Sequence, residues 1–500
     1  MAGGMKSLAK DTAIYGGSTI LSKLLTWILS LYWAFALQTR AEMGAITNFY
    51  AWIALFQVIL TYGMETGFFR FANLNDNPKK VFTTAQISIY TTTFLFFLLS
   101  TIFIHPIAQT LSNFGLNIQP IYIRIIFLIL CFDIITAIPF AYLRFAKRPI
   151  RFASIRIANV VVTIILNFFV FSAIPYIHSI YPSKFEWFDI KDGVLYILCI
   201  NLISSVIQLF LLSPQIFVKY KFDGAILKKI LGYSFPLMIL GIAGVLNQTM
   251  DKIIFPMLYP EKSQALTQLG IYGQNFKIAI IMLMFTQAFR YAFEPFIFAK
   301  DRGDNRKGYA DASKYFLIFG LLIFLGTMGY LDIIKKIIPQ NYHEGLKVVP
   351  IVMLGELFFG LYFNLSLWYK LTDKTRWGAY MSIFGFVITL FIQVTFIPQF
   401  SYMACAWSAF FANLVMMITS YFLGQKHYPI NYDLKSAAFF TMIALIGFAI
   451  ISSTYTYVDN TFLRLAINSL VILLYLVIVF KKELSLHSLP YVGKYFKKII

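Results

Sequence analysis

Fourteen long apolar runs occupy most of the chain and leave few folds open to it. They lie near 13–37, 45–69, 82–106, 119–143, 152–176, 193–217, 230–256, 268–298, 313–334, 346–370, 377–398, 401–424, 435–456 and 460–480. Each is roughly 20 to 30 residues long, and a helix of about 20 residues crosses the hydrocarbon core of a bilayer. In lipid every backbone N–H and C=O has to be satisfied within the chain, so runs of this length fold as spanning helices. The expected fold is an all-α polytopic membrane protein with about fourteen transmembrane helices. Its least defined boundary is at 398–401, where Pro398 and the segment Gln399-Phe400-Ser401 divide one run into two. Composition agrees: only 13% of the 500 residues are charged, against about a quarter in a soluble domain.

The cations are distributed unevenly. With the N-terminus inside, the inward segments hold Lys79, Lys80, Arg144, Lys147, Arg148, Arg151, Lys228, Lys229, Arg306 and Lys307, among others. The outward loops hold few. Cytoplasmic loops of membrane proteins carry such an excess of Lys and Arg. Both termini are therefore expected in the cytoplasm, and the net charge of +20 reads as a topology signal that requires no nucleic-acid partner. The basic and then polar N-terminus precedes no short apolar stretch with a small-residue cleavage site, so no cleaved signal peptide is expected. Cys131, Cys199 and Cys405 all lie within apolar runs and read as core residues, not as a disulfide or metal framework. The five histidines are scattered. No catalytic or metal-spaced cluster and no glycine-rich phosphate loop is visible, which points to a transporter rather than an enzyme.

Short words repeat about 220 residues apart. Phe68-Phe69-Arg70-Phe71-Ala72 returns as Ala288-Phe289-Arg290-Tyr291-Ala292, and Tyr15-Gly16-Gly17-Ser18 as Leu231-Gly232-Tyr233-Ser234. Asp133 is matched by Glu356, and the run from Tyr142 to Arg148 by the run from Trp368 to Lys374. These matches keep their order, as internal repeats do. Two parallel six-helix lobes are expected, related by an axis along the membrane normal. The divisions are 1–228 for the N-lobe, 229–425 for the C-lobe, and 426–500 for two C-terminal helices and a tail.

Two six-helix lobes followed by two helices is the layout of the multidrug/oligosaccharidyl-lipid/polysaccharide exporter superfamily. Four passages carry the likeness: the first helix from Asp11 to Ala34, the stretch from Thr61 to Asn73, the stretch from Pro139 to Phe171, and the segments Asn247–Pro256 and Leu269–Phe296. On these passages the chain resembles the bacterial polysaccharide-biosynthesis (O-antigen-type) flippases. The resemblance implies translocation of an undecaprenyl-pyrophosphate-linked oligosaccharide across the bacterial inner membrane by alternating access, for polysaccharide or lipopolysaccharide synthesis. It implies no cofactor beyond a coupling ion, H+ or Na+. It also implies a chain that functions as a monomer among membrane lipids, associated with glycan-biosynthesis proteins. Lipid II flippases of the superfamily use basic residues on helices 1, 2 and 8 in a central cavity. Here those helices carry Lys23, Arg70, Lys277 and Arg290, with lysine where arginine is usual.

Charges within apolar spans are costly and face protein or water. Lys23 lies about ten residues into the first helix, some 15 Å deep. Lys277 follows Gln274 and Asn275, and on an ideal helix Lys277 and Gln287 lie within about 80°, with Arg290 about 60° from Gln287. They form one broad polar face. The expected phosphate-binding set is thus Lys23, Lys277, Arg290, Arg70, Gln274 and Gln287. Among the acids, Asp133 and Glu356 are deep, and their reading is open between ion coupling and structural pairing. Glu65 precedes Arg70 by about one turn, Glu294 is placed to bridge to Arg290, and Asp251-Lys252 reads as interfacial. Two other functions compete. A cation-coupled multidrug exporter of the same fold would want an acidic or aromatic cavity. A membrane glycan polymerase or ligase would want a large external loop with catalytic residues, and the longest, near 177–192, is short.

Overall fold

A computed structural model describes residues 2–113, 118–181, 188–219, 221–297, 306–372, 374 and 376–483, with side chains described from residue 14 onward except at a few positions. Among the described residues there is no strand. Fourteen helices are long and apolar enough to cross a membrane. In chain order they are α1 (Ile14–Ala36), α2 (Arg40–Leu74), α3 (Pro78–Ile102), α4 (Pro120–Phe145), α5 (Pro149–Ile180), α6 (Gly193–Leu211) and α7 (Gly224–Leu258). They continue as α8 (Lys262–Arg290), α9 (Arg306–Gly329), α10 (Gln340–Leu371), α11 (Arg376–Phe400), α12 (Tyr402–His427), α13 (Leu434–Tyr457) and α14 (Thr461–Lys482). The all-α, fourteen-span fold read from the sequence is the fold observed.

Local chemistry sets the ends. Thr39 and Glu42 form a capping box at the start of α2, satisfying backbone donors that the first turn leaves open. Asp223, Asp433 and Asn460 cap α7, α13 and α14. Proline occupies the first turn of α3, α4 and α5, where its missing N–H costs nothing. The helix α11 runs through Pro398 to Phe400, and the chain turns at Ser401 with φ +54°. The helix α2 is broken at Tyr62 and Gly63, both left-handed, with φ +34° and +69°. Position 63 also needs glycine for space, since a Cβ there would lie 2.8 Å from the carbonyl oxygen of Ser234. The break re-aims the last turns of α2, including Glu65 and Arg70.

The described chain forms two compact units. One comprises Met1–Gly273 with Gln393–Tyr402, and the other Gln274–Ile392 with Met403–Ile500. In the first, α1 packs on α5, α4 on α3 and α6, and α7 on α2. The α2–α8 crossing in this unit brings backbones together. A Cβ on Gly44 would fall 1.8 Å from the oxygen of Leu266, and one on Gly270 2.0 Å from the oxygen of Arg40. Small residues permit such approaches between membrane helices. In the second unit α9 packs on α10, α13 and α14. Wide apolar faces remain exposed, as at Ile20, Ile28 and Phe35 of α1, as expected where lipid is the solvent.

Candidate functional site

The first unit encloses a cavity of about 400 Å³ whose walls are largely polar. Three helices supply most of it, each through one stripe of its sequence. On α4, Asp133, Thr136, Phe140 and Arg144 fall within about 80° of one another at 100° per residue. On α5, Phe152, Arg156 and Asn159 do the same, and on α6, Asn201, Ser204, Ser205 and Gln208 fall within about 100°. All of these residues line the cavity, as do Tyr50, Gln57 and Glu65 of α2. The stripes are cross-linked. Ser205 Oγ donates to Asp133 Oδ1 at 2.8 Å, Gln208 Nε2 to Thr136 Oγ1 at 3.0 Å, and Asn159 Nδ2 to the Ser204 carbonyl at 3.0 Å.

Two arginines and two acids set the charge. Arg144 pairs with Glu65 and lies 5.1 Å from the centre of the Phe69 ring. Arg156 lies 5.0 Å from the ring of Phe140 and 5.3 Å from that of Phe152. Among the described residues the Nε of Arg156 has no hydrogen-bond partner. The cavity is therefore near neutral in total, with an arginine held on aromatic faces and hydrogen-bonding groups around it. Such walls suit an oxygen-rich ligand or a file of water. No cluster of three metal-ligating side chains occurs among the described residues.

Lys23 is exposed on α1. It shares a polar stripe with Thr19, Thr26 and Ser30, about 130° around the helix from the apolar stripe of Ile20, Leu24, Ile28 and Phe35. Arg70 is exposed, with its guanidinium 4.2 Å from the centre of the Tyr233 ring. In the second unit Gln274 and Asn275 are fully buried. Asn275 Nδ2 donates to the Tyr342 carbonyl at 2.8 Å, and the Gln274 amide has no hydrogen-bond partner among the described residues. Lys277 and Glu356 are half-buried, and both are engaged by neighbours. Gln287 and Arg290 are exposed. Arg290 and Lys370 both stand against the Phe363 ring, at 4.5 and 3.8 Å from its centre. The side chain of Glu294 lies outside the described residues.

Two contacts add to the sequence reading. Glu65 pairs with Arg144 on α4, toward which the break at Tyr62–Gly63 turns it. Asp251, read from the sequence with Lys252 as interfacial, is buried within the protein: it is 8% exposed, accepts from Tyr272 Oη at 2.6 Å and lies 2.9 Å from Nζ of the half-buried Lys252. Sequence reasoning also left Arg156 unassigned. Its signal was the depth argument applied to Lys23, since Arg156 stands seven residues inside α5 at a helical spacing from Asn159 and Thr163.

The fold is shared with solved transporters. The structure described as "Lipid II flippase MurJ, inward closed conformation" matches with a TM-score of 0.68 at 17% identity, covering 93% of this chain and 98% of that one. The MATE multidrug transporter DinF-BH matches with a TM-score of 0.57 at 13% identity, over 83% of this chain and 95% of that one. A MATE structure in the straight conformation gives 0.55 at 13%, over 84% and 95%. These likenesses show the fold. No curated protein matches the chain. The family model described as "Polysaccharide biosynthesis protein" matches residues 8–298, and the chain accordingly belongs to that family.

Proposed function

We propose that the chain is a flippase that carries an undecaprenyl-pyrophosphate-linked oligosaccharide across the bacterial inner membrane by alternating access, with both termini in the cytoplasm. The physical problem is a headgroup of about two negative charges, each very costly in hydrocarbon. Lysine and arginine in a hydrated site replace the water around those charges through charge-assisted hydrogen bonds, while the polyprenyl tail stays in lipid. No bond is made or broken. The observation that carries the reading is Lys23, a cation deep in the first span of a polysaccharide-biosynthesis chain, exposed on a polar stripe turned away from the apolar face of its helix. Lys277, Arg290 and Arg70, with Gln274 and Gln287, are the further candidates for headgroup contact. A coupling ion, H+ or Na+, supplies the driving force in this reading, and Asp133 and Glu356 are the acids to test for it.

The experiment is transport of a labelled lipid-linked oligosaccharide in proteoliposomes, run beside a cationic dye. Lys23→Ala lowers flipping by ~10- to 100-fold, the loss that a charged hydrogen bond of about 1.5–3 kcal/mol represents, with the protein still inserted. Lys23→Arg keeps much of it, because phosphate accepts either cation. Intact transport in Lys23→Ala removes the proposed site. A wild-type protein that moves only the dye removes the flippase reading.

A further inference from the structure

The second unit contains a pair of adjoining cavities that include none of the residues proposed above for headgroup contact. The first, of about 670 Å³, lies among α9, α10, α12 and α13 and is almost wholly apolar, lined by side chains such as Leu317, Phe358, Leu361, Met417, Phe422 and Met442. The second, also about 670 Å³, has walls about evenly polar and apolar and lies at the ends of α9, α12 and α13 around the segment from Pro429 to Asp433. The two share Tyr421, Tyr432, Asp433 and Leu434 in their walls. Together they form one amphipathic recess, with tyrosines at the change from apolar to polar, where their ring and hydroxyl suit both sides.

Charge decides what fits the polar end. Arg306 and Lys435 line it. Arg306 is braced by the Pro429 carbonyl at 3.0 Å and by the Tyr428 ring at 4.5 Å. Lys435 is exposed and makes no hydrogen bond or ion pair among the described residues. Asp433, the acid in the wall, is occupied: it caps α13 through the Ser436 N–H at 3.0 Å and lies 3.9 Å from Lys314. The Lys314 charge is in turn met by Glu483 at 2.6 Å. The polar end thus presents two cations, immediately beyond an apolar slot open to lipid at Phe422 and Met442.

We infer that this recess binds an anionic diacyl phospholipid of the leaflet on the basic side, with its phosphate at Arg306 and Lys435 and an acyl chain in the apolar cavity between α9, α10, α12 and α13. A zwitterionic lipid brings its own cation to the phosphate and fits two protein cations less well. Basic pockets between membrane helices on that side are the usual receivers of anionic headgroups.

The test uses the purified full chain, with native mass spectrometry and lipid titration comparing phosphatidylglycerol and phosphatidylcholine of the same acyl chains. Wild-type protein retains phosphatidylglycerol in preference. The double substitution Arg306→Gln/Lys435→Gln lowers that retention ~10- to 30-fold, as two membrane-proximal cations predict, and abolishes the preference. Ala438→Trp, which fills the apolar cavity, lowers retention of both lipids. Each variant is checked by thermal unfolding. If the double variant is misfolded, Lys435→Gln alone, at an exposed position, takes its place. Equal retention of the two lipids by wild type, or unchanged retention in the charge variants, overturns the assignment. So does displacement of bound phosphatidylglycerol by undecaprenyl phosphate in wild type but not in Ala438→Trp, because the slot would then belong to the substrate's tail.

Discussion

Asp133 sits in an apolar helix because its neighbours meet it: Ser205 donates to its carboxylate at 2.8 Å, and Arg156 lines the same cavity. Asp133→Ala leaves both without their counterpart, and an unsatisfied buried polar group costs about 1–3 kcal/mol. Asp133→Asn keeps an acceptor for Ser205. Thermal unfolding in detergent is expected to show a clear loss for alanine and a small one for asparagine; the reverse order would mean that the hydrogen bond is not what holds the residue. Depth in an apolar run was enough to mark Asp133 and Glu356 from the sequence. It did not mark Arg144, because a cation near a span end looks like a headgroup anchor until packing aims it inward.

At the scale of elements, two contacts make predictions. The α2–α8 crossing depends on the absence of side chains at Gly44 and Gly270, whose added Cβ atoms would meet backbone. A backbone obstacle cannot rotate away, so Gly44→Leu or Gly270→Val is expected to lower abundance and melting temperature well beyond a lipid-facing change such as Ile28→Ala. The second contact ties the end of α9 to α14. Asp332, just past α9, lies 2.5 Å from Arg464 Nε and 2.6 Å from Lys335 Nζ. Burial pushes its carboxyl up, but hydrogen bonds and charge from Lys335 and Arg464 outweigh that and hold it below its ordinary 3.8. A carboxyl depressed in the folded state stabilises at pH above its unfolded value and loses that contribution as pH falls through the folded one. Melting temperature is therefore expected to fall below about pH 4, and Asp332→Asn to flatten that part of the curve; an unchanged acid limb in the variant would show that the pair adds nothing.

For the whole molecule, the loop charges predict orientation. In a cysteine-free background, Gln38→Cys and Asp459→Cys are expected to react with an impermeant thiol reagent on intact cells, and Asp76→Cys to be protected; the opposite pattern would invert the topology. The spans were legible from the sequence alone, because a bilayer demands about twenty apolar residues of any helix that crosses it and the requirement is local. The family likeness was legible for the same reason, being carried by contiguous passages. Which helices pack together was not. The proposed repeat divides after residue 228, whereas the compact units divide after residue 273, because α7 and the start of α8 pack on α2. Tertiary structure alone decided that Glu65 meets Arg144, that Arg156 opens into a cavity, and that Asp251 is buried. Each depends on the rotation and crossing of helices, which are set by side-chain fit between segments far apart in the chain, and an apolar run of suitable length is nearly silent about which of its faces will be covered.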